Sequence, residues 1–320
     1  MNYHYFIDTK LLAYFLTQRK SSILDIYNKI AELLINKPKG KVYLAFDDGK
    51  SSYRCGIYSQ YKGHRTVAKS KKSEEEMIIS RKFESDYLSL IEFSKGLNVH
   101  VLAVRGVEAD DLISIEVEKL KQDPNNFIYL ITGDMDYINS VVGTNNVVIC
   151  NALKSGEIID NEYVKNTYSS LLNSRDRFNV HKSIFGDKSD NIKFLRNFGE
   201  QKATEVFENL YSKYEEPTIE HIVEEVVEVI KRFNNIKVHE NHIVDGRHSI
   251  KDAIEANLKL ADTFRDTSNF TEEQLKMYNE CISRVPPRVS DSNHLILKGL
   301  ELFNEPVVLY RDASRVFNVK

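Results

Sequence analysis

Residues 99–113 read "VHVLAVRGVEADDLI" and join an apolar run to a helical pattern through a group of acids. The first six residues are almost all apolar, which is typical of a strand covered on both faces. From Ala109 onward, apolar residues recur with the spacing of one helix face. Glu108, Asp110 and Asp111 lie where the two patterns meet. The stretch therefore predicts a buried strand that is followed by three carboxylates and a helix.

The same alternation of strands and helices runs through the first half of the chain. Apolar runs predict further strands at residues 3–8, 41–46, 127–132 and 146–150, and helical patterns follow at about residues 9–34 and 74–95. Beyond about Asn161 helical patterns dominate. This alternation predicts an α/β fold with a mainly parallel central sheet and helices on both faces. We expect this core over residues 1–180 and a helical C-terminal domain over residues 181–320.

The composition is that of an ordinary globular protein. The 320 residues are 42% hydrophobic and 28% charged, with a net charge of −3. No apolar run approaches the thickness of a bilayer, and the N-terminus lacks the pattern of a signal peptide. Cys55, Cys150 and Cys281 are far apart and odd in number, which argues against a disulfide framework and a zinc cluster. We therefore expect a cytoplasmic protein that does not bind a membrane.

Acidic residues follow four of the predicted strands. These residues are Asp8, Asp47, the group Glu108, Asp110 and Asp111, and the pair Asp134 and Asp136. The carboxyl ends of parallel strands lie along one edge of a sheet, so we expect these side chains to share that edge. Bare anions at such distances repel each other and raise each other's pKa, which a hard divalent cation would prevent. Mg²⁺ and Mn²⁺ prefer oxygen ligands, and this number of acids suits two or more ions.

A simpler explanation exists for each acid taken alone. A single Asp after a strand is often the N-cap of a helix, and acids in a first helical turn favour the helix dipole. Asp187 and Asp190 are spaced as on one helix face, but after Gly186 they also suit a turn. Capping does not account for four strand ends that are acidic together, so the whole pattern favours metal binding.

A basic segment follows the second predicted strand. Residues 50–82 contain nine Lys or Arg residues and three Glu residues. The cations alternate with Tyr53, Tyr58 and Tyr61. Cations bind phosphates and aromatic faces stack on bases, so the segment is typical of a groove for single-stranded nucleic acid. A solvated charged loop would show a similar composition.

These residues resemble the metal-dependent 5′-nucleases, which include flap endonucleases, the 5′-nuclease domains of bacterial DNA polymerases, and phage 5′–3′ exonucleases and ribonucleases H. The resemblance covers about residues 3–203 and is strongest to the phage members. It rests on "FID", "FDDGKSSYRCGIYSQYKGHR", "RGVEADDL", "TGDMDY" and "GDKSDNI", in the family's order and at comparable spacing. It implies a PIN-like nuclease core, a basic helical arch at about residues 50–85, and a helix–hairpin–helix-like element that binds DNA.

The resemblance also implies roles for individual residues. The first metal cluster would be Asp8, Asp47, Glu108, Asp110 and Asp111, and the second Asp134, Asp136, Asp187 and Asp190. Lys62 and Arg65 match the basic residues at the base of the family's arch, which accepts the free 5′ strand. With Asp110 they are the implied catalytic residues. Metal-activated water would attack the phosphodiester, and Lys62 would offset the charge that develops there. The implied cofactor is Mg²⁺, with Mn²⁺ as a substitute.

The chain departs from the family in its hairpin. Family members carry three glycines after the "SDNI" motif, but here Phe194 and Asn197 occupy two of the glycine positions and only Gly199 remains. Glycine permits tight turns and close approach of backbone amides to phosphate. The same hairpin commonly binds a monovalent cation, so K⁺ binding is doubtful. The side chains expected to contact nucleic acid are Arg54, Tyr58, Tyr61, Lys62, Arg65, Lys69, Lys193, Arg196 and Lys202.

We therefore expect a Mg²⁺-dependent 5′–3′ exonuclease or flap endonuclease, active on DNA or RNA–DNA hybrids with 5′ ends or flaps. By resemblance, its role is the removal of RNA primers in replication, as a monomer that a single-strand binding protein or another replication protein assists. One alternative is a catalytically silent protein that binds DNA junctions, but it would gain nothing from a repulsive row of acids. The other is a haloacid-dehalogenase-like phosphatase, which needs a second Asp where this chain has Lys10.

Overall fold

The computed structural model describes residues 1–65, 73–154, 156–167, 172–192, 194–195, 198–234 and 249–320. Contacts divide the chain into two compact units. The first unit comprises Met1–Ser51, Lys72–Val164 and Phe264–Lys320, and the second comprises Ser52–Lys71 and Lys165–Thr263.

A six-stranded sheet forms the centre of the first unit within its described residues. The strands are β1 (Asn2–Asp8), β2 (Lys41–Phe46), β3 (His100–Ala103), β4 (Asn126–Thr132), β5 (Val147–Asn151) and β6 (Glu157–Ile159). Their order is β3-β2-β1-β4-β5-β6. The first five strands pair in parallel and β6 pairs antiparallel to β5. The predicted, mainly parallel sheet is confirmed, and β6 is an antiparallel edge strand that the sequence did not indicate.

Helices make up most of the remaining regular structure of the described residues. They are α1 (Thr9–Gln18), α2 (Asp25–Leu34), α3 (Ser52–Ile57), α4 (Glu74–Ser94), α5 (Ala109–Leu120), α6 (Ile138–Val141), α7 (Asn161–Thr167), α8 (Arg175–Phe185), α9 (Glu200–Lys213), α10 (Ile219–Asn234), α11 (Ile250–Ala261), α12 (Glu272–Ser283), α13 (Ser292–Phe303) and α14 (Arg311–Val316). The predicted helix over residues 9–34 is two helices, because Lys20 adopts a left-handed φ of 58° after α1. None of the described helices combines the length and the apolar character needed to cross a membrane.

The core of the first unit includes the C-terminal residues. Leu44 and Phe46 of β2 pack in one buried cluster with Phe93 of α4. Leu295 and Phe317 belong to the same cluster. The predicted boundary at residue 180 therefore differs from the division by contacts, because the apolar side chains after residue 264 complete the core of the sheet unit. The predicted arch over residues 50–85 is likewise divided, since Ser52–Lys71 belongs to the second unit and α4 to the first.

The second unit is helical over its described residues, as the sequence predicted. It contains α3 and α8 to α11. Its buried apolar residues include Val206, Leu210, Ile222, Val226 and Ile254. The buried Arg175 ties α8 to the end of α11, because its Nη2 atom lies 2.8 Å from Asp262 Oδ1.

Candidate functional site

Seven carboxylates of the first unit follow four neighbouring parallel strands. We call this group the acidic edge, and it consists of Asp8, Asp47, Glu108, Asp110, Asp111, Asp134 and Asp136. Asp8 ends β1, Asp47 follows β2, the next three begin α5 after β3, and the last two follow β4. These four strands lie side by side in the order β3-β2-β1-β4. The sheet therefore brings the acids to one edge, because the carboxyl ends of parallel strands coincide.

Glu108, Asp110 and Asp111 form the densest part of the acidic edge. Each offers a carboxylate oxygen, and these oxygens lie within 4.8 Å of one another. Glu108 and Asp111 are buried, and Asp110 is half-buried. The positive end of α5 offsets part of this charge. Oxygen donors at this spacing are the set that hard divalent cations prefer, so these residues fit a metal ion.

Hydrogen bonds hold several of these carboxylates in place. Asp47 Oδ1 accepts from the Ala109 backbone N–H at 2.7 Å, which joins the end of β2 to the start of α5. Asp111 Oδ1 accepts from the Phe264 backbone N–H at 3.0 Å. Lys10 Nζ lies 3.7 Å from Asp47 Oδ2. The backbone of other elements and the side chain of Lys10 therefore orient these acids.

Tyr137 shows that carboxylates from different strands converge. This residue is 2% exposed, and its hydroxyl donates to Asp8 Oδ2 at 3.5 Å. Burial raises the pKa of Tyr137 well above its usual value, and the charges of Asp8, Asp110, Asp134 and Asp47 raise it further, in that order. Carboxylates that follow four different strands therefore all raise the pKa of the same tyrosine.

Helix capping, the simpler explanation for single acids, applies to Asp134 but not to Glu108. Asp134 caps the 3₁₀ turn Met135–Tyr137, because its Oδ1 accepts from the Asp136 backbone N–H at 2.9 Å. Glu108 occupies the N-cap position of α5, but its side chain makes no capping hydrogen bond to the described backbone of that helix. Capping therefore explains Asp134 in part and leaves the burial of Glu108 unexplained.

A second group of charged residues surrounds Asp190 in the second unit. Lys62 Nζ lies 3.6 Å and Arg65 Nη2 lies 3.4 Å from Asp190 Oδ1. The Tyr61 hydroxyl donates to Asp190 Oδ2 at 2.9 Å, and the Lys62 backbone N–H donates to the Asp190 carbonyl. The resemblance implied that Lys62 and Arg65 lie at the base of an arch, and the structure places both cations beside Asp190, one of the predicted metal ligands.

Asp187 lies in a similar setting in the same unit. Burial acts to raise the pKa of Asp187, but Lys182 at 3.0 Å and the hydrogen bonds from Ser189 outweigh it, so the pKa lies below the usual value. Asp187 is therefore ionised at neutral pH. The prediction that Asp187 and Asp190 form one metal cluster with Asp134 and Asp136 stays a prediction.

Three residues predicted to bind nucleic acid are buried in the second unit. Arg54 is 2% exposed, and its guanidinium donates to the carbonyls of Leu260 and Asp262. Tyr58 and Tyr61 are 6% and 3% exposed and pack in a cluster with Leu260. Burial within the second unit argues against direct contact between these three side chains and nucleic acid, and their assignment stays a prediction.

The other predicted contacts have different outcomes. Arg65 is exposed, and Lys62 and Lys202 are half-buried. Lys69, Lys193 and Arg196 lie outside the described residues. Of the six remaining assignments, three fall on described residues, which are Lys62, Arg65 and Lys202.

Three residues at the acidic edge were not predicted from the sequence. Lys10 follows Asp8 by two residues in the first turn of α1, and Tyr137 directly follows the "DMD" motif, so both carried a local signal. Tyr87 of α4 bonds the backbone of Asp47, 40 residues away, and the sequence gives no sign of this contact.

The fold and the site together define a class: parallel α/β proteins with a row of carboxylates at the strand ends, suited to divalent cations. The family model described as "5'-3' exonuclease, N-terminal resolvase-like domain" matches residues 3–169. The match covers more than half of the chain, and the chain belongs to this family.

Two relatives agree with this family, and one solved structure shares the fold. The 5′-3′ exonuclease of Mycoplasmopsis pulmonis is 26% identical over 193 residues, which span 60% of this chain and 59% of that protein. DNA polymerase I of Lactococcus lactis is 28% identical over 204 residues, which span 61% of this chain and 21% of the polymerase. The match thus spans less than two thirds of both relatives. A structure of the T5 5′-exonuclease with bound zinc ions covers 89% of this chain and 100% of that chain, with a TM-score of 0.66 and 17% identity, which confirms the fold class.

Proposed function

We propose that this protein is a divalent-metal-dependent 5′-nuclease that hydrolyses phosphodiester bonds near free 5′ ends of DNA and RNA–DNA hybrids. The observation that carries the proposal is the row of carboxylates at the ends of four neighbouring parallel strands, three of which offer oxygens within 4.8 Å of one another. Membership of the 5′-3′ exonuclease family supports it.

Residues of the acidic edge would hold the metal. Glu108, Asp110 and Asp111 offer oxygens within 4.8 Å of one another, and Asp8 and Asp47 end the neighbouring strands. When bound, a divalent ion would activate water and offset negative charge on the phosphate. We propose Mg²⁺ as the ion, with two or more bound and Mn²⁺ as a substitute. Zinc ions in the T5 5′-exonuclease structure support a divalent cation in this fold.

Lys62 and Arg65 would bind the phosphate backbone near the scissile bond. Their side chains are 21% and 54% exposed, so both retain access to solvent beside Asp190. Cations in this setting attract the phosphates and stabilise charge in the transition state.

The biological role is proposed from the relatives. DNA polymerase I and the 5′-3′ exonucleases support a role in replication, with the removal of RNA primers as the task. We further propose a cytoplasmic monomer whose action a single-strand binding protein or another replication protein assists.

The direct test is cleavage of 5′-labelled flap, single-stranded and RNA–DNA hybrid substrates with Mg²⁺ and with chelator. We expect short labelled products with Mg²⁺ and none with chelator. Tight binding to the flap without cleavage would contradict the proposal and favour a silent junction-binding protein. Release of inorganic phosphate from a monoester without cleavage of DNA would contradict it in favour of a phosphatase.

A substitution locates the activity at the acidic edge. Asp110→Asn removes one negative charge and keeps the shape of the side chain. We expect cleavage to fall by roughly a hundredfold or more, since several kcal/mol of charge stabilisation depend on the ligand set. Asp312→Asn, an exposed residue of α14, is the matched control and should retain full activity. Near-normal turnover of Asp110→Asn at saturating Mg²⁺ would remove the acidic edge from the mechanism.

A further inference from the structure

We propose that Tyr87 of α4 is a positioning residue that holds Asp47 of the acidic edge in the orientation required for metal binding. The inference rests on the proposed function and concerns a residue to which neither the family pattern nor the sequence assigned a role. Tyr87 is fully buried and lies in the middle of the helix, seven residues before its end.

A directed chain of hydrogen bonds links Tyr87 to the acidic edge. Thr9 Oγ1 lies 2.6 Å from the Ala45 carbonyl oxygen, which can only accept, so the Thr9 hydroxyl donates there. Thr9 must then accept at 2.9 Å from the Tyr87 hydroxyl. The Tyr87 oxygen in turn accepts from the Asp47 backbone N–H at 3.1 Å. Every hydroxyl in the chain therefore has its direction set by its neighbours.

Asp47 is fixed from two sides as a result. Its backbone N–H donates to Tyr87, and its Oδ1 accepts from the Ala109 N–H at 2.7 Å. Asp47 lies just beyond the end of β2, where the pairing of β2 with its neighbours has already ended at Phe46. The Tyr87 hydroxyl therefore accepts the hydrogen bond of the Asp47 N–H in place of a neighbouring strand. Rotation of this peptide would turn the carboxylate away from the Ala109 N–H at the start of α5.

The Tyr87 ring has a second contact at the same place. Lys10 Nζ lies 5.4 Å from the centre of the ring, 3.7 Å from Asp47 Oδ2 and 4.0 Å from Glu84 Oε2. The ring therefore supports a cation next to Asp47, while the hydroxyl holds the Asp47 backbone. Replacement of Tyr87 by Phe separates the two roles, because it keeps the ring and removes only the hydroxyl.

The protein offers a matched control for this replacement. Tyr27 belongs to the same buried cluster and is 1% exposed. Its hydroxyl bonds Ser94 Oγ at 2.9 Å, at the C-terminal end of α4 and away from the acidic edge. Tyr27→Phe therefore removes an equally buried hydroxyl from the same core. A loss of stability common to both variants measures the structural role alone.

The decisive readout is the binding of Mn²⁺ without nucleic acid, measured by calorimetry on the full chain. We expect Tyr87→Phe to weaken Mn²⁺ binding by about tenfold, the lower end of the effect of residues that orient metal ligands. Thr9→Val, which removes the acceptor for Tyr87, should weaken binding in the same direction. Tyr27→Phe should bind as the wild type does. Flap cleavage by Tyr87→Phe should be slow at limiting Mg²⁺ and recover at high Mg²⁺.

The outcomes separate this inference from the proposed function. If the wild type binds Mn²⁺ and cleaves flaps, and Tyr87→Phe binds Mn²⁺ equally well, Tyr87 is a core residue only and the inference is overturned. The same holds if Tyr27→Phe weakens binding as much as Tyr87→Phe. If the wild type neither binds Mn²⁺ nor cleaves, the proposed function fails and the inference fails with it. Thermal unfolding of each variant shows whether it is folded.

Discussion

At the scale of single residues, Lys62 combines an unusual backbone conformation with a specific set of contacts. Its φ of 53° lies in the left-handed region, which costs a non-glycine residue roughly 1–2 kcal/mol. The conformation lets its backbone N–H donate to the Asp190 carbonyl while its side chain lies beside the Asp190 carboxylate. Strained residues of this kind cluster at functional sites, which agrees with the role proposed for Lys62.

We predict that Lys62→Met slows the chemical step more than it weakens substrate binding. Removal of one preorganised charge at the reacting centre lowers the rate by roughly a hundredfold, whereas the phosphate contact alone changes affinity far less. Single-turnover cleavage at saturating substrate measures the first effect and a titration of labelled flap the second. Lys29→Met is the matched control, because Lys29 has a similar exposure of 24% and pairs with Glu32. Full recovery of the rate at saturating substrate would reduce Lys62 to a phosphate contact.

His181 provides a prediction for pH dependence. Its ring stacks on the ring of Phe185, with the two ring centres 3.9 Å apart. It packs at right angles to the ring of Phe207, with the centres 5.2 Å apart. Burial, together with the charge of Lys182, lowers the pKa of His181 to about 4. The unfolded chain takes up this proton near pH 6.5, so the contribution to stability is complete above pH 6.5 and is lost as the pH falls towards 4.

We therefore expect the urea midpoint of the wild type to fall between pH 7 and pH 5 by more than that of His181→Gln. The exposed His294 is the control, and His294→Gln should show the wild-type difference. Equal pH dependence in the wild type and His181→Gln would show that this ring is not protonated on unfolding.

At the scale of elements, the segment between α8 and α9 shows how the chain replaces a glycine-rich hairpin. Gly186 has a φ of 74°, and a Cβ atom there would lie 2.6 Å from the Ile192 carbonyl oxygen. This glycine permits the antiparallel bridge between Asp187 and Ile192. Phe194 is buried and meets the Phe198 ring edge-on at 5.1 Å. The described part of the segment is thus held by aromatic packing in place of flexible backbone.

We predict weak duplex binding that falls steeply with salt and responds equally to K⁺ and Na⁺. With Phe194 in a glycine position, fewer backbone amides approach the phosphates, so side-chain cations carry the binding and release counterions. The measurement is the affinity for a flap substrate across a salt series in KCl and in NaCl at matched ionic strength. Tight binding that depends selectively on K⁺ would show that the hairpin site is retained despite the substitutions. Asn197, the other substituted position, lies outside the described residues.

At the scale of the whole molecule, the chain returns to its first unit after the helices of the second. Phe264–Lys320 belongs to the sheet unit, and Gln274 of α12 donates to the Arg105 carbonyl beside the acidic edge. The Phe264 backbone N–H donates to Asp111. The C-terminal residues therefore complete the core and also orient one carboxylate of the site.

We predict that Leu295→Ala destabilises the protein by about 2–5 kcal/mol, because Leu295 is 2% exposed and packs in the core of the sheet unit. Leu297→Ala in the same helix, at a residue 66% exposed, should change the free energy of unfolding by less than about 0.5 kcal/mol. Urea unfolding of both variants tests the pair. Equal, small effects would show that α13 contributes little to this core.

The sequence by itself determined the alternation of strands and helices and the place of the acidic edge. Both depend on which residues are neighbours in the sequence. An apolar run predicts a buried strand, and parallel strands bring the residues that directly follow them to one edge of the sheet. β2 was predicted with its bounds, and Asp47 was placed at the edge because it comes directly after that strand.

Only the tertiary structure decided which polar and aromatic side chains are exposed and which are core. Arg54 and Tyr61 belong to a segment with the composition of a nucleic-acid-binding surface. Arg54 is nevertheless buried, and it donates a hydrogen bond to the carbonyl of Leu260, 206 residues away in the sequence. Tyr87 reaches Asp47 across 40 residues, and Leu295 joins a core that begins at Tyr5. Such contacts depend on how distant helices pack, and neither periodicity nor motif spacing encodes that packing.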